Sequence, residues 1–198
     1  MSGLRCRYCP VVSVLALGFM ASAWAYEIST IRVSHEQHRY QIHMDVIIDA
    51  DAHTVYQLFS DVSHLPEINS AVVQVKVLGP DTAQRKRVQT QVRGCVSFFC
   101  RTLDQVQDMR FTTYTHDQGG AVSASVIPAL SDFRYGQAAW LFTSCAGKTC
   151  LRFDAALEPD FWVPPLIGPW LIQRKMREEA RQTSAGLEAL AQKHQAGQ

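Results

Sequence analysis

The sequence predicts an α+β domain in which a bent antiparallel sheet of about six or seven strands wraps around one long C-terminal helix. Between residues 40 and 157, apolar side chains alternate with polar ones over short segments, which indicates strands with one buried face. From residue 170 onward they recur every three or four residues, which indicates a helix with one apolar stripe. No repeat or low-complexity tract interrupts this order, so we assign residues 40–192 to one domain.

The first 25 residues have the pattern of a secretory signal. Arg5 and Arg7 precede an apolar run, and the small side chains of Ala23 and Ala25 form an A-x-A cleavage site. The run is too short for a membrane anchor, which needs about 20 apolar residues. We therefore expect an exported protein cleaved after Ala25, with the periplasm as the default compartment in a bacterium.

Removal of this signal leaves a nearly neutral chain of about 173 residues, enough for one hydrophobic core. Arg5 and Arg7 are removed with it, so the mature chain has 17 of the 19 basic residues and 18 acidic residues. Nucleic-acid-binding domains normally carry a basic face, so we predict no nucleic-acid partner. Residues 26–39 show no clear period and are assigned to an N-terminal extension, in which Ile28, Ile31 and Val33 could add a short strand, and residues 193–198 to a flexible tail.

Four cysteines remain after cleavage, in two C-x4-C pairs, Cys95 with Cys100 and Cys145 with Cys150. Each pair brackets a four-residue loop between strand-like segments, where facing side chains are close enough to be bridged. Four cysteines allow three pairings, and a four-thiolate zinc site or free thiols are the alternatives. An oxidising compartment favours disulfides, so we predict two hairpin disulfides and neither a metal nor a cofactor.

The first clear strand covers residues 40–48, and a short helix follows it. Apolar side chains alternate there with polar ones, the apolar set being Tyr40, Ile42, Met44, Val46 and Ile48. Asp51 is placed to cap the helix, which turns at Leu65-Pro66. Further strands follow from residue 72, with turns at Gly79-Pro80 and Gly119-Gly120 and a predicted kink near Asp108.

The last segment changes from proline-rich to helical at Trp170. Four prolines punctuate residues 159–169, and a long helix follows. Its predicted apolar stripe consists of Ile172, Met176, Ala180, Thr183, Leu187 and Leu190. We expect the acidic residues Glu178, Glu179 and Glu188 to lie on its outer side.

Two segments resemble the START-like (SRPBCC) superfamily, which contains polyketide cyclases and coenzyme Q-binding proteins. Residues 46–66, VIIDADAHTVYQLFSDVSHLP, are similar to the family's strand, cap, amphipathic helix and L-P turn. Residues 157–170, LEPDFWVPPLIGPW, lead into the final helix as they do in that family. The resemblance covers nearly all of residues 40–192 and implies the helix-grip fold, although export and paired cysteines distinguish this chain from cytosolic members.

No catalytic constellation is evident in the sequence, and we assign no catalytic residue. It contains no G-x-S-x-G nucleophile elbow. His35 and His38 have H-x-x-H spacing but no third ligand nearby, so a solvated surface is the better interpretation. The acid, base or charge candidates for an enzyme are His43, Asp132, Arg134 and Tyr135.

A bent sheet on one helix tends to leave an apolar cavity with a few polar anchors, and this predicts a binding protein for a lipid, isoprenoid or quinone-like molecule. The candidate ligand-binding residues are Met44, Val88, Thr90, Val126, Trp140, Phe142, Phe153, Trp170 and Met176. The alternatives are a cyclase- or hydrolase-like enzyme acting on a hydrophobic substrate, and a closed cup that docks a membrane or a partner.

Aromatic residues near the start of the final helix suggest contact with a membrane surface. Phe161, Trp162 and Trp170 lie in or next to the proline-broken segment, and tryptophan is favoured at membrane interfaces. The alternative is that these side chains pack under the edge of the sheet.

Overall fold

The structure is a computed structural model that describes residues 27–96, 99–115 and 118–197. The predicted signal at residues 1–25 lies outside the described residues. The described part contains eight strands, β1 (Glu27–Glu36), β2 (Arg39–Ile48), β3 (Val72–Asp81), β4 (Arg85–Val96), β5 (Phe99–Thr113), β6 (Gly120–Val126), β7 (Phe133–Cys145) and β8 (Lys148–Pro159). It contains three α-helices, α1 (Ala52–Ser60), α2 (Leu65–Ile68) and α3 (Gly168–Ala196), and two 3₁₀ turns, Val62–His64 and Pro128–Leu130.

The described strands form one sheet in the order β1-β2-β8-β7-β6-β5-β4-β3, with every neighbouring pair antiparallel. This sheet and the long C-terminal helix confirm the predicted α+β helix-grip fold. The strand count is higher than predicted because residues 27–36, assigned to an extension, form β1 on the outer edge of β2. A register shift between Ile28 and Thr30 breaks the alternation that would have revealed this strand.

The face of the sheet toward the helices, here called the inner face, carries the core. Every second residue of β2 from Tyr40 to Ile48 is buried, as the alternation predicts. Helix α1 begins where expected, because the Asp51 side chain accepts a hydrogen bond from the Thr54 N–H at 2.9 Å. Its apolar side packs on the same core through Val55 and Phe59.

The predicted kink near Asp108 is wrong, because β5 runs without interruption from Phe99 to Thr113. Asp108 lies in register with Arg87 on β4, and Arg87 Nε donates to its carboxylate at 2.7 Å. A charged residue in mid-strand is therefore accommodated by a cross-strand pair on the outer face. Disulfides join Cys95 to Cys100 across the β4–β5 hairpin and Cys145 to Cys150 across the β7–β8 hairpin.

The second half of α3 packs closely on α1, α2 and β2. A Cβ atom at Gly186 would collide with the carbonyl oxygen of Ile68, so glycine permits the contact with α2. Asn69 reinforces it by donating to Thr183 Oγ1 at 2.9 Å, and it also donates to Oε2 of Glu179, the last residue of the first half, at 2.8 Å. Among the described residues, no helix has the length and apolar character that a membrane span requires.

The expected position of Glu188 on the outer side of α3 is wrong, because this side chain is only 1% exposed. Its Oε2 accepts the backbone N–H of Asp49 at 2.8 Å, just after the end of β2. The carboxylate thus satisfies a backbone donor that would otherwise be buried without a partner. The hydrogen bond to this N–H, which lies 139 residues away in sequence, outweighs the usual preference of glutamate for solvent.

Candidate functional site

The inner face is filled with bulky side chains toward the α1 end of the sheet. Cross-strand register places Met44, Phe153, Trp140 and Val122 in one row. The Trp140 and Phe153 rings stack at 5.1 Å between centroids, and Phe59 of α1 contacts Trp140 at 5.2 Å. This region, here called the closed end, leaves little space beneath the helices.

The next row of the inner face has almost no side-chain volume. Register places Ala155, Ala138 and Ala124 side by side across β8, β7 and β6, between Ile42 and Met109. At Gly136, two residues before Ala138 on β7, the Val126 side chain occupies the space that a Cβ atom would need, so the region of small side chains ends there. Three adjacent alanines leave little side-chain volume on this part of the inner face, and we call this region the open end.

Helix α3 covers the two ends differently. Its second half buries Ala180, Ser184, Leu187, Glu188 and Ala191. Between Pro169 and Glu179, by contrast, no residue is fully buried. Met176 is half-buried and packs against the core cluster. The first half of α3 therefore packs less closely on the rest of the domain than the second half does.

The structure places most of the predicted ligand-binding residues on the inner face or over it. Met44, Val88, Thr90 and Phe142 are buried there. Val126, Trp140, Phe153 and Met176 are half-buried. Trp170 differs, since it is 58% exposed and its ring faces the Arg174 guanidinium at 5.6 Å. Their role in binding a ligand stays a prediction.

Sequence reasoning missed the alanine row and two inner-face amides, Gln105 and Gln107. Gln107 is 8% exposed and shares its face with Met109 and Phe111, which belong to the core. Counting every second residue back from Phe111 would have found both amides. Counting back from Phe142 through Trp140 would have found Ala138.

The candidate catalytic residues are not gathered into one site. His43 lies on the outer face in register with Asp154, whereas Tyr135 pairs with Glu158, four residues further along β8. Arg134 Nε donates to Asp160 Oδ1 at 2.6 Å in solvent. Asp132 Oδ2 accepts the Asp104 N–H at 2.8 Å, a structural contact at the end of the β6–β7 connection.

His43 is the centre of a small charged cluster on the outer face. Its Nδ1 lies 2.7 Å from Asp154 Oδ1, and its Nε2 lies 3.0 Å from Asp45 Oδ2. The hydrogen bond to Asp154 raises the pKa of His43 above its usual value, burial acts against this, and the bond to Asp45 adds to the increase. The cluster faces away from α3, so it does not supply an acid or base to the inner face.

Two shallow depressions, of about 570 and 300 Å³, lie on the outer face of the sheet. They share Ser123, Ala139 and Asp154 and are open to solvent. Neither lies between the sheet and α3, so they offer a competing location for a ligand. Charged residues, Arg32, His43 and Asp154, line the larger one, and its walls also include the three alanines of the row described above.

The histidines of the H-x-x-H pattern do not share a site. His35 lies on β1 and stacks on Tyr40 with ring centroids 4.2 Å apart, and His38 lies in the turn before β2. Within the described part of the chain, no three His, Cys, Asp or Glu side chains are grouped so that they could hold a metal ion.

The segment that enters α3 displays large apolar side chains to solvent. Trp162 is 79% exposed, Leu166 94%, Ile167 59% and Trp170 58%, and we call these four residues the rim patch. Phe161 is instead half-buried, with the Arg101 guanidinium 4.5 Å from its ring centroid. The prediction that this segment packs under the sheet edge thus fits Phe161 better than Trp162.

Comparison with known proteins places this architecture among solved structures. The fold is similar to that of a STAR-related lipid transfer protein from Xanthomonas axonopodis (TM-score 0.63, 13% identity, 82% of this chain and 98% of the other). It is also similar to TTHA0849 from Thermus thermophilus (TM-score 0.62, 17% identity, 78% of this chain and 98% of the other). A third similar structure is the Zhui aromatase/cyclase from a Streptomyces species (TM-score 0.62, 13% identity, 78% of this chain and 94% of the other).

At the level of sequence, no curated protein matches the chain. A family model does match, described as polyketide cyclase / dehydrase and lipid transport, and it spans residues 39–194. The matched segment runs from β2 to the last turns of α3 and so contains both the alanine row and helix α3. The chain therefore belongs to the polyketide cyclase / dehydrase and lipid transport family.

Proposed function

We propose that this protein is an exported carrier that holds an apolar small molecule, such as a lipid, isoprenoid or quinone-like compound, between the open end of the sheet and the first half of α3. The fold supports the proposal, because this chain is similar in structure to a lipid transfer protein and to an aromatase/cyclase. Two disulfides are consistent with function in an oxidising compartment outside the cytoplasm.

The observation that carries the proposal is the combination of the row of Ala155, Ala138 and Ala124 on the inner face with a segment of α3, residues 169–179, that has no fully buried residue. Protein interiors are close-packed, and an element that covers apolar surface normally buries its own side chains against it. Trp140 and Phe153, which border this row, are only half-buried, so part of their apolar surface is still available to a ligand. Covering it would stabilise the complex by about 25 cal/mol per Å² of apolar area.

The direct test is organic extraction of protein purified from its own host, followed by mass spectrometry of the extract. We expect a co-purified apolar molecule in stoichiometric amount. Ala138→Trp fills the open end and should abolish this molecule. The matched control is Ala139→Trp, which places the same side chain on the outer face of β7, in the larger depression.

The two variants separate the two locations. If Ala139→Trp removes the ligand and Ala138→Trp retains it, the ligand occupies the outer depression and the proposal is wrong. Near-wild-type melting temperatures for both variants would show that the change concerns binding and not folding.

The rim patch supports a further part of this proposal, namely that the carrier exchanges its cargo at a membrane surface. Four exposed apolar side chains lie where the chain enters the helix that covers the open end. Arg174, close to the Trp170 ring, adds positive charge that anionic lipid headgroups would attract. Tryptophans flanked by cations suit the boundary between headgroups and acyl chains.

Flotation with vesicles of phosphatidylcholine and phosphatidylglycerol tests this part. We expect wild-type protein to float and Trp162→Ala to float several-fold less. Leu78→Ala is the control, because Leu78 is a 50% exposed apolar side chain on edge strand β3. Equal loss in both variants, or no flotation of the wild type, would contradict membrane loading while leaving ligand binding intact.

A further inference from the structure

Buried amides line part of the inner face beyond the alanine row. Gln105 and Gln107 lie on β5, and Thr90 lies opposite Gln105 on β4. Gln107 is 8% exposed and Thr90 5% exposed, although apolar Val88 and Met109 share their face. Polar side chains at such positions cost free energy unless their hydrogen-bonding groups find partners.

The hydrogen bonding of Gln107 within the protein is poor. Its Oε1 accepts from Gln105 Nε2 at 2.8 Å, but its own Nε2 donates only to the thioether of Met109, at 3.7 Å. A thioether sulfur is a weak acceptor, and an amide nitrogen has two N–H donors. The Thr90 hydroxyl has only a 3.4 Å contact with the Gln105 carbonyl oxygen. The amide donor of Gln107 is therefore under-used at a buried position.

These polar groups carry no charge, and the cations on the same face of these strands are already paired. Lys86 lies on the same face of β4 as Val88, and its Nζ contacts Asp81 at 3.2 Å. Arg101 lies on β5, four residues before Gln105, and contacts Asp132 at 3.7 Å. A phosphate or carboxylate brought against Gln107 would lose its hydration without gaining a free cation, which is costly in a low-dielectric site. An uncharged oxygen acceptor would meet an N–H donor that lacks a good partner.

We infer that Gln107, supported by Gln105 and Thr90, binds an uncharged oxygen, a carbonyl or a hydroxyl, at the polar end of the apolar ligand. This inference rests on the proposed carrier function and narrows it. The cargo is an apolar molecule with a neutral oxygen function, and fatty acids and phospholipids are disfavoured as cargo.

Matched probes test the inference. Dodecanophenone and dodecylbenzene have the same number of carbons and differ by one carbonyl group, and 4-dodecylbenzoate adds a charge. Each is used below its aggregation concentration to displace the fluorescent reporter N-phenyl-1-naphthylamine from the full mature protein. We expect the wild type to bind the ketone about five- to tenfold more tightly than the hydrocarbon, the value of one net hydrogen bond. The benzoate should bind more weakly than the ketone.

The variant Gln107→Leu keeps a similar volume and removes the donor. We expect it to lose the preference for the ketone while binding dodecylbenzene at least as well as the wild type does. Gln137→Leu, which changes an exposed amide on the outer face of β7, should retain the preference. Isotope-edited infrared spectroscopy of carbonyl-labelled dodecanophenone on the wild type is independent of any variant, and we expect the carbonyl band to shift to lower frequency than in hexane.

The outcomes distinguish the two proposals. Equal binding of ketone and hydrocarbon, a preference that survives in Gln107→Leu, an unshifted carbonyl band, or tightest binding of the benzoate would each overturn the role of Gln107 while leaving the carrier function standing. Failure of all three probes to displace the reporter, or of the reporter to bind, would count against the carrier function itself and against the inference that rests on it.

Discussion

The two halves of α3 belong to one continuous helix but meet the sheet in different ways. The second half buries Leu187 completely, presses Gly186 against α2 and places Glu188 under the end of β2. The first half, from Pro169 to Glu179, has no fully buried residue. The second half fixes the fold, and we propose that the first half covers a ligand.

This difference predicts that stability and binding separate along one helix. Mutations in the second half should reduce the free energy of unfolding and leave the ligand preference of the remaining folded protein intact. Mutations in the first half should weaken ligand binding and leave the free energy of unfolding nearly unchanged. The experiments below are ordered by the expected size of their effect on stability.

The largest contrast is between Leu187→Ala and Met176→Ala. Leu187 is 0% exposed, so its truncation leaves a cavity and should cost about 2–5 kcal/mol. Met176 is half-buried, and its truncation should cost about 1 kcal/mol or less. Urea denaturation measures both, and reporter displacement should show weaker binding only for Met176→Ala. Equal costs would mean that α3 packs uniformly.

Gly186→Ala should destabilise the protein by about 1–3 kcal/mol, because the new methyl group must push α3 away from Ile68. This exceeds the gain of about 1 kcal/mol that alanine usually brings to a helix interior. Gly197→Ala is the control, since a Cβ there meets only ordinary contacts at 3.6 and 3.8 Å. Thermal melts compare the melting temperatures of the two variants. A higher melting temperature for Gly186→Ala than for the wild type would refute the close contact between Gly186 and Ile68.

Glu188→Ala should cost about 1–3 kcal/mol, because it leaves the Asp49 N–H buried without an acceptor. Glu188→Gln retains an acceptor oxygen and should cost less. Glu178→Ala, on the exposed side of the first half, should change stability by no more than about 0.5 kcal/mol. Chemical denaturation at neutral pH ranks the three, and equal values for Glu188→Ala and Glu178→Ala would contradict the burial of Glu188.

The smallest effect concerns the outer face and tests whether it is independent of the open end. Because the folded state raises the pKa of His43, the protonated imidazole contributes stability that is complete below its unfolded pKa of about 6.5. That contribution is lost as the pH rises through the higher folded pKa. His43→Gln should therefore destabilise the protein more at pH 5.5 than at pH 8.5, by less than about 1 kcal/mol at this partly exposed site.

Ligand binding provides the second readout for His43→Gln. Binding of dodecanophenone by the variant should equal that of the wild type, because His43 faces away from α3. A loss of binding would instead point to the larger outer depression, which His43 lines.

The sequence allowed the order of elements to be predicted because local signals were strong there. Alternation in β2, the Asp51 cap and the two C-x4-C hairpins are all properties of short segments. Strand β1 was predicted less clearly because it is an edge strand with a register shift, and edge strands do not need one uniformly apolar face.

The candidate site was predicted less completely because its features depend on distant pairings. The alanines become a row only when β6, β7 and β8 are aligned, and Glu188 is buried only because β2 ends beneath it. Gln107 received no assignment from the sequence, because a polar side chain carries no local signal of burial. Inner-face aromatics were predicted correctly from alternation, since Trp140, Phe142 and Phe153 all lie on the side of the sheet that faces the helices.

Hydrogen–deuterium exchange with and without saturating dodecanophenone tests the central claim most directly. Without the probe, the amides of residues 171–179 should exchange faster than those of residues 184–191, because fewer buried contacts hold that half of the helix. With the probe, exchange should slow in residues 171–179 and stay unchanged in residues 184–191. Saturating probe that leaves the exchange of residues 171–179 unaltered would contradict the account.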